Sequence, residues 1–265
     1  MNRILTFVWI ALVTLSCGKD DLVTPQPKPT LLPHRLVQGS MVLEIAYSPE
    51  GKISQLTTTS GYPGGTLVHD QFFLYDDAGI LAEVTTSSGW RFVYTYSGGR
   101  IVETLEYLDG NLSQKHQFAY DNKGRVSQSV TYQDIQEEGG WIPVQKSTYT
   151  YDNAGNLLEN RLFYYGTGGA PEYLLTVNTF SEYDQKINTE AAFEITVINP
   201  QLRAFVNNPR KLEIRNGNGH LSATETYAYT YNAEGYAESK TTTSLFNGDT
   251  EVYTTSYFFL EPDEF

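Results

Sequence analysis

Few residues of this 265-residue sequence have the types and spacing that catalysis or metal binding requires. A carboxylate pair such as Asp76 with Asp121 could supply the acid and base of a glycosidase, although 31 acidic residues make such pairs common by chance. No Gly-x-Ser-x-Gly elbow or phosphate-binding loop occurs. We therefore predict no catalytic residues and no metal site, and we keep a hydrolase of extracellular polysaccharide or protein as the alternative. A second carboxylate pair is Glu137 with Glu138, and the histidines lie too far apart for a short metal-ligand motif: His34, His69, His116 and His220.

A recurring aspartate raises calcium binding as a second type of chemistry. Short acidic loops supply the oxygen ligands that Ca²⁺ prefers, and Asp76, Asp121 and Asp152 each begin such a loop. The loops lack the D-x-[DN]-x-[DN]-G series of a calcium loop. Aspartate also starts turns, because its carboxylate accepts backbone N–H groups just ahead of it. We favour this turn-forming role over calcium binding and predict no cofactor.

Aromatic side chains are the third group that could bind a ligand. Most aromatic residues at strand spacing belong to the core or to cross-strand pairs. Trp141 stands beside a Gly-Gly pair, and Tyr164 and Tyr165 precede a glycine-rich loop. These three residues are the candidates for an exposed surface that binds a glycan or a protein.

The acidic and aromatic residues recur in a phrase: aromatic, any residue, Tyr, Asp or Asn, two residues, Gly, a basic or polar residue, and an aliphatic one. Two aromatics at i and i+2 share one face of a strand. Asp or Asn then starts a type I turn, and Gly closes it with positive φ. Each copy therefore predicts the tip of a β-hairpin. The tyrosines of the copies are Tyr75, Tyr120, Tyr151 and Tyr231, with a shortened copy at Tyr96 and weaker ones at Tyr47 and Tyr183.

The tips alternate with return turns rich in Asn, Asp and Gly, such as Asp109-Gly110 and Asn247-Gly248. This alternation predicts an all-β fold, an antiparallel up-and-down meander of roughly a dozen strands with every tip at one end. A long open sheet would leave two exposed edges, so we expect the meander to close, or nearly close, into a barrel. An open curled sheet or a sandwich is the alternative.

The amino terminus predicts export and a lipid anchor. Residues 4–15 form an apolar stretch after Arg3; the stretch is shorter than the about 20 residues of a membrane span and is typical of a signal peptide. Cys17 is the only cysteine, and residues 13–17 resemble the lipobox at which bacterial lipoproteins are cleaved and lipidated. The predicted domains are a signal peptide (1–16), a lipidated cysteine with a Pro-rich tether (17–36) and a repeat domain (37–265).

Charge narrows the choice of partners. The formal net charge is −13, and a strongly acidic chain without a basic run is a poor candidate for nucleic-acid binding. The expected partners are a membrane, through the N-terminal lipid, and a glycan or protein ligand; the chain is expected to be a monomer. Residues 18–21 resemble the acidic signal that sends Bacteroidetes lipoproteins to the outer face of the outer membrane. The exterior is the predicted location, and the periplasm is the alternative.

The phrases Tyr120-Asp121-Asn-Lys-Gly124-Arg125-Val126 and Tyr151-Asp152-Asn-Ala-Gly155-Asn156-Leu157 resemble the YD (Rhs-type) repeat. Together with Cys17, these phrases give the chain a layout similar to that of a family of uncharacterised Bacteroidetes lipoproteins with a porin-like β fold. The resemblance implies a barrel-like, soluble, surface-anchored domain and brings no site residues with it. A pore is not expected, because membrane barrels need outward apolar bands and stretches such as 57–60 and 240–244 are polar. The predicted function is a non-enzymatic, lipid-anchored binding or structural module of the cell envelope.

Overall fold

The protein folds into sixteen β-strands within the part of the chain that the structure describes. The structure is a computed structural model, and it describes residues 31–135, 140–166, 171–193 and 195–260. The predicted signal peptide, Cys17 and most of the predicted tether lie outside these residues. The strands are β1 (Leu32–Gln38), β2 (Met41–Tyr47), β3 (Ile53–Tyr62), β4 (Gly65–Tyr75), β5 (Leu81–Thr86), β6 (Trp90–Ser97), β7 (Arg100–Leu108), β8 (Asn111–Tyr120), β9 (Val126–Ile135), β10 (Gly140–Tyr151), β11 (Leu157–Tyr164), β12 (Tyr173–Ser181), β13 (Lys211–Asn216), β14 (Leu221–Tyr231), β15 (Ala237–Phe246) and β16 (Asp249–Leu260).

The strands form one closed antiparallel barrel. Each strand pairs with its neighbours in sequence, and the ring closes where β1 pairs with β16, with Leu36 opposite Tyr257. The predicted all-β meander and its closure are confirmed. There are more strands than the predicted dozen because the seven copies of the phrase account for fourteen strands, and β1 and β16, which adjoin no tip, supply two more.

The repeated phrase forms hairpin tips at one end of the barrel, which we call the tip end. At a representative tip, the Asp121 carboxylate accepts the backbone N–H groups of Lys123 at 2.9 Å and Arg125 at 2.8 Å. Gly124 has a φ of 81°, which a glycine adopts at little cost. Asp76 and Asp152 each accept the N–H four residues ahead at 2.8 Å. The turn-forming role is confirmed for these three aspartates, and calcium binding is untested.

The folded domain begins earlier than the sequence predicts. The predicted tether runs to residue 36, whereas β1 begins at Leu32. The side chain of Leu36 lies in the core, and β1 is needed to join β2 to β16. The ladder shifts register after Pro33, because proline has no N–H to donate. Pro33 therefore belongs to the barrel wall, although sequence composition assigned it to the tether.

The pairing register separates the inner and outer faces of the wall. Residues opposite each other on adjacent strands share a face, and buried residues align in this way, as Leu56 does with Ile45 and Val84 with Phe92. These positions face the interior, and the alternate positions face outward. The buried core consists of Leu36, Ile45, Leu56, Phe73, Val84, Phe92, Tyr94, Ile101, Phe193, Ala237 and Tyr257.

One connection at the tip end is far longer than the others. Residues 182–210 join β12 to β13, and the described part of this connection, which leaves out residue 194, contains one 3-10 turn, Glu190–Ala192. Phe193 from this connection belongs to the core of the barrel.

Among the described residues, no helix has the length and apolar character needed to cross a membrane.

Candidate functional site

Successive tips are joined by a tyrosine. The Tyr120 hydroxyl donates to the carbonyl of Ile101 at 2.5 Å, and the Tyr151 hydroxyl donates to the carbonyl of Val126 at 2.9 Å. Ile101 and Val126 are the aliphatic residues that end the preceding copies of the phrase. We call this bond the tyrosine clasp. It recurs from Tyr75 to Ile53, from Tyr96 to Leu81 and from Tyr183 to Leu157.

The basic residue of the phrase also contacts the next copy. The Arg100 guanidinium lies 5.5 Å from the centre of the Tyr120 ring, and the Arg125 guanidinium lies 4.6 Å from that of Tyr151. A cation held over an aromatic face is attracted by the electrons of the ring. The phrase therefore specifies contacts between neighbouring tips as well as the turn within each tip.

The long connection crosses the tip end, and we call its described residues, 182–193 and 195–210, the plug. The Thr104 hydroxyl on β7 donates to the plug carbonyl of Ile198 at 2.7 Å. The N–H of Ala237 on β15 donates to the hydroxyl of Thr189 at 2.9 Å. Since β7 and β15 are eight places apart in a ring of sixteen strands, the plug spans the full width of the barrel.

A charged pair inside the barrel anchors the plug. The Glu190 carboxylate accepts a hydrogen bond from the Tyr257 hydroxyl and lies 2.5 Å from Nζ of Lys240. The side chains of Glu190 and Lys240 are only 12% and 15% exposed. An ion pair in such a place needs both partners, because either charge alone would be poorly hydrated.

Beside the plug, the tip end has an open cleft of about 420 Å³, which we call the tip cleft. It lies between the β6–β7 tip, the β8–β9 tip and the plug. Gln201 holds the plug against the first tip: its Oε1 accepts the N–H of Ile101 at 2.9 Å, and its Nε2 donates to the carbonyl of Gly99 at 3.2 Å. The lining residues are Gly99, Arg100, Tyr120, Gly124, Arg125, Val126, Pro200, Gln201 and Arg203.

The tip cleft is basic although the chain is acidic. Arg125 pairs with Asp121 at 2.7 Å and donates to the carbonyl of Asp152 at 2.9 Å. Among the described residues, no carboxylate lies within 4.0 Å of the Arg100 or Arg203 guanidinium. Burial disfavours the charged form of Asp121, but its bonds to Arg125 outweigh burial and hold its pKa below the usual value. The cleft therefore presents two exposed cations beyond its internal ion pair.

Arg100 is held in place by its neighbours. Its guanidinium lies over Tyr120 and so close to Gly124 that a Cβ there would come within 2.4 Å of Nη2. Burial raises the pKa of the Tyr120 hydroxyl, and the neighbouring Asn199 and Arg100 offset part of that rise. Tyr120 thus remains a neutral hydrogen-bond donor at the floor of the cleft.

The predicted ligand-binding aromatics lie near the opposite end of the barrel and do not form one surface. Trp141 faces outward, with Nζ of Lys115 4.9 Å from its ring. Tyr164 pairs with Gln145 on the inner face, and its ring stacks on that of Tyr173, with 6.4 Å between the ring centres. Tyr165 follows β11, and burial raises the pKa of its hydroxyl. Ligand binding by these residues remains a prediction.

The other residues that the sequence raised for chemistry are dispersed. His116 is buried inside the barrel, where Nε2 is 2.8 Å from Glu106 and Nδ1 is 3.0 Å from Thr131. Asp76 and Asp121 stand at different tips, each occupied by its own turn. Glu137 and Glu138 lie outside the described residues. Within the described ranges, no group of three His, Cys, Asp or Glu side chains could hold a metal ion.

Comparison with known proteins identifies the fold. No protein-family model matches the chain, and no curated protein resembles it closely enough to count as a relative. A porin-like protein from Bacteroides uniformis has a TM-score of 0.62 and 14% identity, covering 88% of this chain and 99% of that one. A second porin-like protein, from Bacteroides vulgatus, has a TM-score of 0.48 and 12% identity, with coverages of 86% and 98%. At such identities the first likeness shows a shared fold.

Sequence reasoning missed the plug, the clasp and the tip cleft. The clasp was visible as a fixed Tyr and a fixed aliphatic residue in every copy of the phrase, but a turn alone accounts for neither. Nothing in the sequence indicates that Arg203 belongs to a site, because it lies in a segment with neither strand alternation nor a helical period. Only the folded chain brings Arg203 beside Arg100 and Arg125.

Proposed function

We propose that this protein is a non-enzymatic, lipid-anchored binding module of the cell envelope, with a barrel that stands in water. The observation that carries the proposal is the charged outer face of the wall. Arg91 lies 3.1 Å from Glu83, and Arg161 lies 2.6 Å from Glu159, and the register places these residues outward. A charge on the lipid face of a membrane barrel costs about 2–4 kcal/mol at the midplane, so a wall with such pairs favours water.

The plug supports the same proposal. A barrel of about 16 strands is wide enough to leave an aqueous channel, but the plug joins opposite sides of the wall at the tip end. A porin-like protein from Bacteroides uniformis shares the fold, and in this chain the barrel is proposed to serve as a rigid carrier of surface sites. The tether from Cys17 would attach that carrier to the outer membrane, on its exterior face, with the periplasmic face as the alternative.

The rival function, a hydrolase, has weaker support. Glu106, Glu190 and Glu225 face the interior of the barrel, and each is held by a neighbouring side chain: His116, Lys240 and Tyr227. An acid–base pair needs carboxylates that can exchange protons with a substrate. Carboxylates fixed in internal bonds serve the stability of the barrel better than catalysis.

Membrane fractionation with a Cys17→Ala variant tests the proposal. We expect the native protein to sediment with membranes and the variant to appear, folded, in the soluble fraction. Retention of the folded variant in membranes after an alkaline wash would contradict a barrel that stands in water. Protease treatment of intact cells then separates the two faces, because only a protein on the exterior is digested while the outer membrane is whole.

A further inference from the structure

We infer that the tip cleft binds an oxyanion, a carboxylate or phosphate group, between the guanidinium groups of Arg100 and Arg203. The inference rests on the proposed function and names the chemical class of its ligand. Carboxylates and phosphates match the planar, multi-donor guanidinium group, with which they form paired charge-assisted hydrogen bonds. The cleft volume of about 420 Å³ is in the range of small-molecule sites.

The charge balance of the cleft carries the inference. Three arginines line it and no described acidic residue does. Among the described carboxylates, only that of Asp121 forms an ion pair with any of the three. In a chain with net charge −13, such a concentration of positive charge is unusual. The remaining two guanidinium groups are exposed and can exchange their water for a ligand.

The cleft is also built before a ligand arrives. Arg100 is confined between the Tyr120 ring and Gly124, and Arg125 is fixed by Asp121 and the Asp152 carbonyl. Gln201 ties the plug to the β6–β7 tip through two hydrogen bonds, which sets Arg203 beside that tip. A site ordered in advance loses less conformational entropy on binding.

Titration calorimetry on the purified full-length protein tests this inference with three probes: glucuronate, inorganic phosphate and glucose. We expect one-site binding of at least one oxyanion and none of glucose. Glucuronate binding alone would assign a carboxylate sugar, and phosphate binding alone would assign a phosphorylated ligand. An absence of saturable binding for both oxyanions would overturn the inference.

Variants locate the site. Arg203→Gln removes an exposed side chain and leaves the clasps intact, so we expect a folded protein whose affinity falls about tenfold or more, as for loss of a charged hydrogen bond. The double variant with Arg100→Gln should lose binding, and Arg203→Lys should retain part of it. The matched control is Arg161→Gln, which removes the same charge from the outer wall. Equal weakening by Arg203→Gln and Arg161→Gln would show that only net charge matters and would refute the site.

The binding experiment and the fractionation experiment can fail independently of each other. Binding can fail while Cys17→Ala is released from the membrane; the envelope module would then stand with a different ligand. Retention of Cys17→Ala in the membrane would reject the proposed function, whatever the binding assay shows.

Discussion

The ring and the hydroxyl of the tyrosine in the repeated phrase have separate structural roles. Its ring fills the inner face near a tip, and its hydroxyl reaches back to the carbonyl that ends the previous copy, as Tyr151 does to Val126 at 2.9 Å. The hydroxyl satisfies a carbonyl beside a register shift in the ladder, such as the shift that follows Ala119. Buried carbonyls that lack a partner are costly, so the clasps compensate for the bulges at the five tips whose carbonyls they satisfy.

Removing a clasp hydroxyl should weaken the fold measurably. We expect Tyr151→Phe to lower the free energy of unfolding by about 1 kcal/mol, since a net hydrogen bond contributes roughly that much. Denaturant unfolding measures the change, and Tyr62→Phe is the matched control because Tyr62 is 58% exposed. Equal stabilities for the two variants would show that the clasp contributes nothing.

The clasps also predict alkaline instability. Burial raises the pKa values of the clasp tyrosines Tyr75, Tyr96 and Tyr151. It also raises the pKa of Tyr47, whose hydroxyl donates to the carbonyl of Pro33, to about 12. A tyrosine in the unfolded chain loses its proton at about pH 10, whereas a buried tyrosine loses it at a higher pH. As pH rises, ionisation therefore stabilises the unfolded state before it stabilises the folded state. The tyrosine contribution to stability is therefore complete below about pH 10 and declines above it.

Unfolding experiments at a series of alkaline pH values, with tyrosinate absorbance recorded in parallel, test this. We expect stability to fall above about pH 10 and to fall less steeply in Tyr151→Phe. A native protein whose tyrosines all ionise near the ordinary pKa without loss of structure would contradict the burial of the clasps.

At the scale of elements, the sequence predicts the tips well because their determinants are local. Asp121, Gly124 and the aromatics before them define a turn within a few residues, and no distant contact is needed. The sequence predicts the plug poorly because its contacts are distant: Ile198 meets Thr104, and Glu190 meets Lys240. The copy at Tyr183 keeps its clasp to Leu157, but the chain enters the barrel before it returns as β13.

The plug gives a prediction at the same scale. Glu190→Gln leaves Lys240 inside the barrel without its counter-charge, and we expect a loss of about 3 kcal/mol, in line with other broken buried pairs. The comparison variant Glu159→Gln breaks an outer-wall pair and should cost less than about 1 kcal/mol. Denaturant unfolding gives both values, and hydrogen exchange in residues 182–210 reports whether the plug loosens first. Similar costs for the two variants would contradict an anchoring role for Glu190.

At the scale of the whole molecule, the two ends of the barrel differ. The tip end carries turn-forming aspartates, clasps, the plug and the basic tip cleft. Many exposed large apolar side chains lie near the opposite end, including Tyr62, Leu67, Tyr173 and Phe246. β1 starts at the tip end and runs towards the other end, so the chain before Leu32 joins the barrel at the tip end.

Closure of the barrel was predictable from the whole-molecule pattern, whereas the strand number was not. Each tip indicates the pair of strands that it joins. β1 and β16 adjoin no tip, so the repeated phrase does not indicate these two strands. The three aromatics proposed as a ligand surface were chosen for their nearness to glycines, but the register divides them between the two faces of the wall. Side-chain direction depends on register, and register is set by bulges that the sequence does not reveal.

We propose that the barrel stands in water and not in a membrane. The most direct test is to produce the chain without residues 1–17 and measure its folding and size in detergent-free buffer. We expect a β-rich circular dichroism spectrum, a cooperative unfolding transition and the hydrodynamic size of a monomer. A chain that aggregates in buffer and acquires β structure only in detergent micelles or lipid vesicles would contradict it.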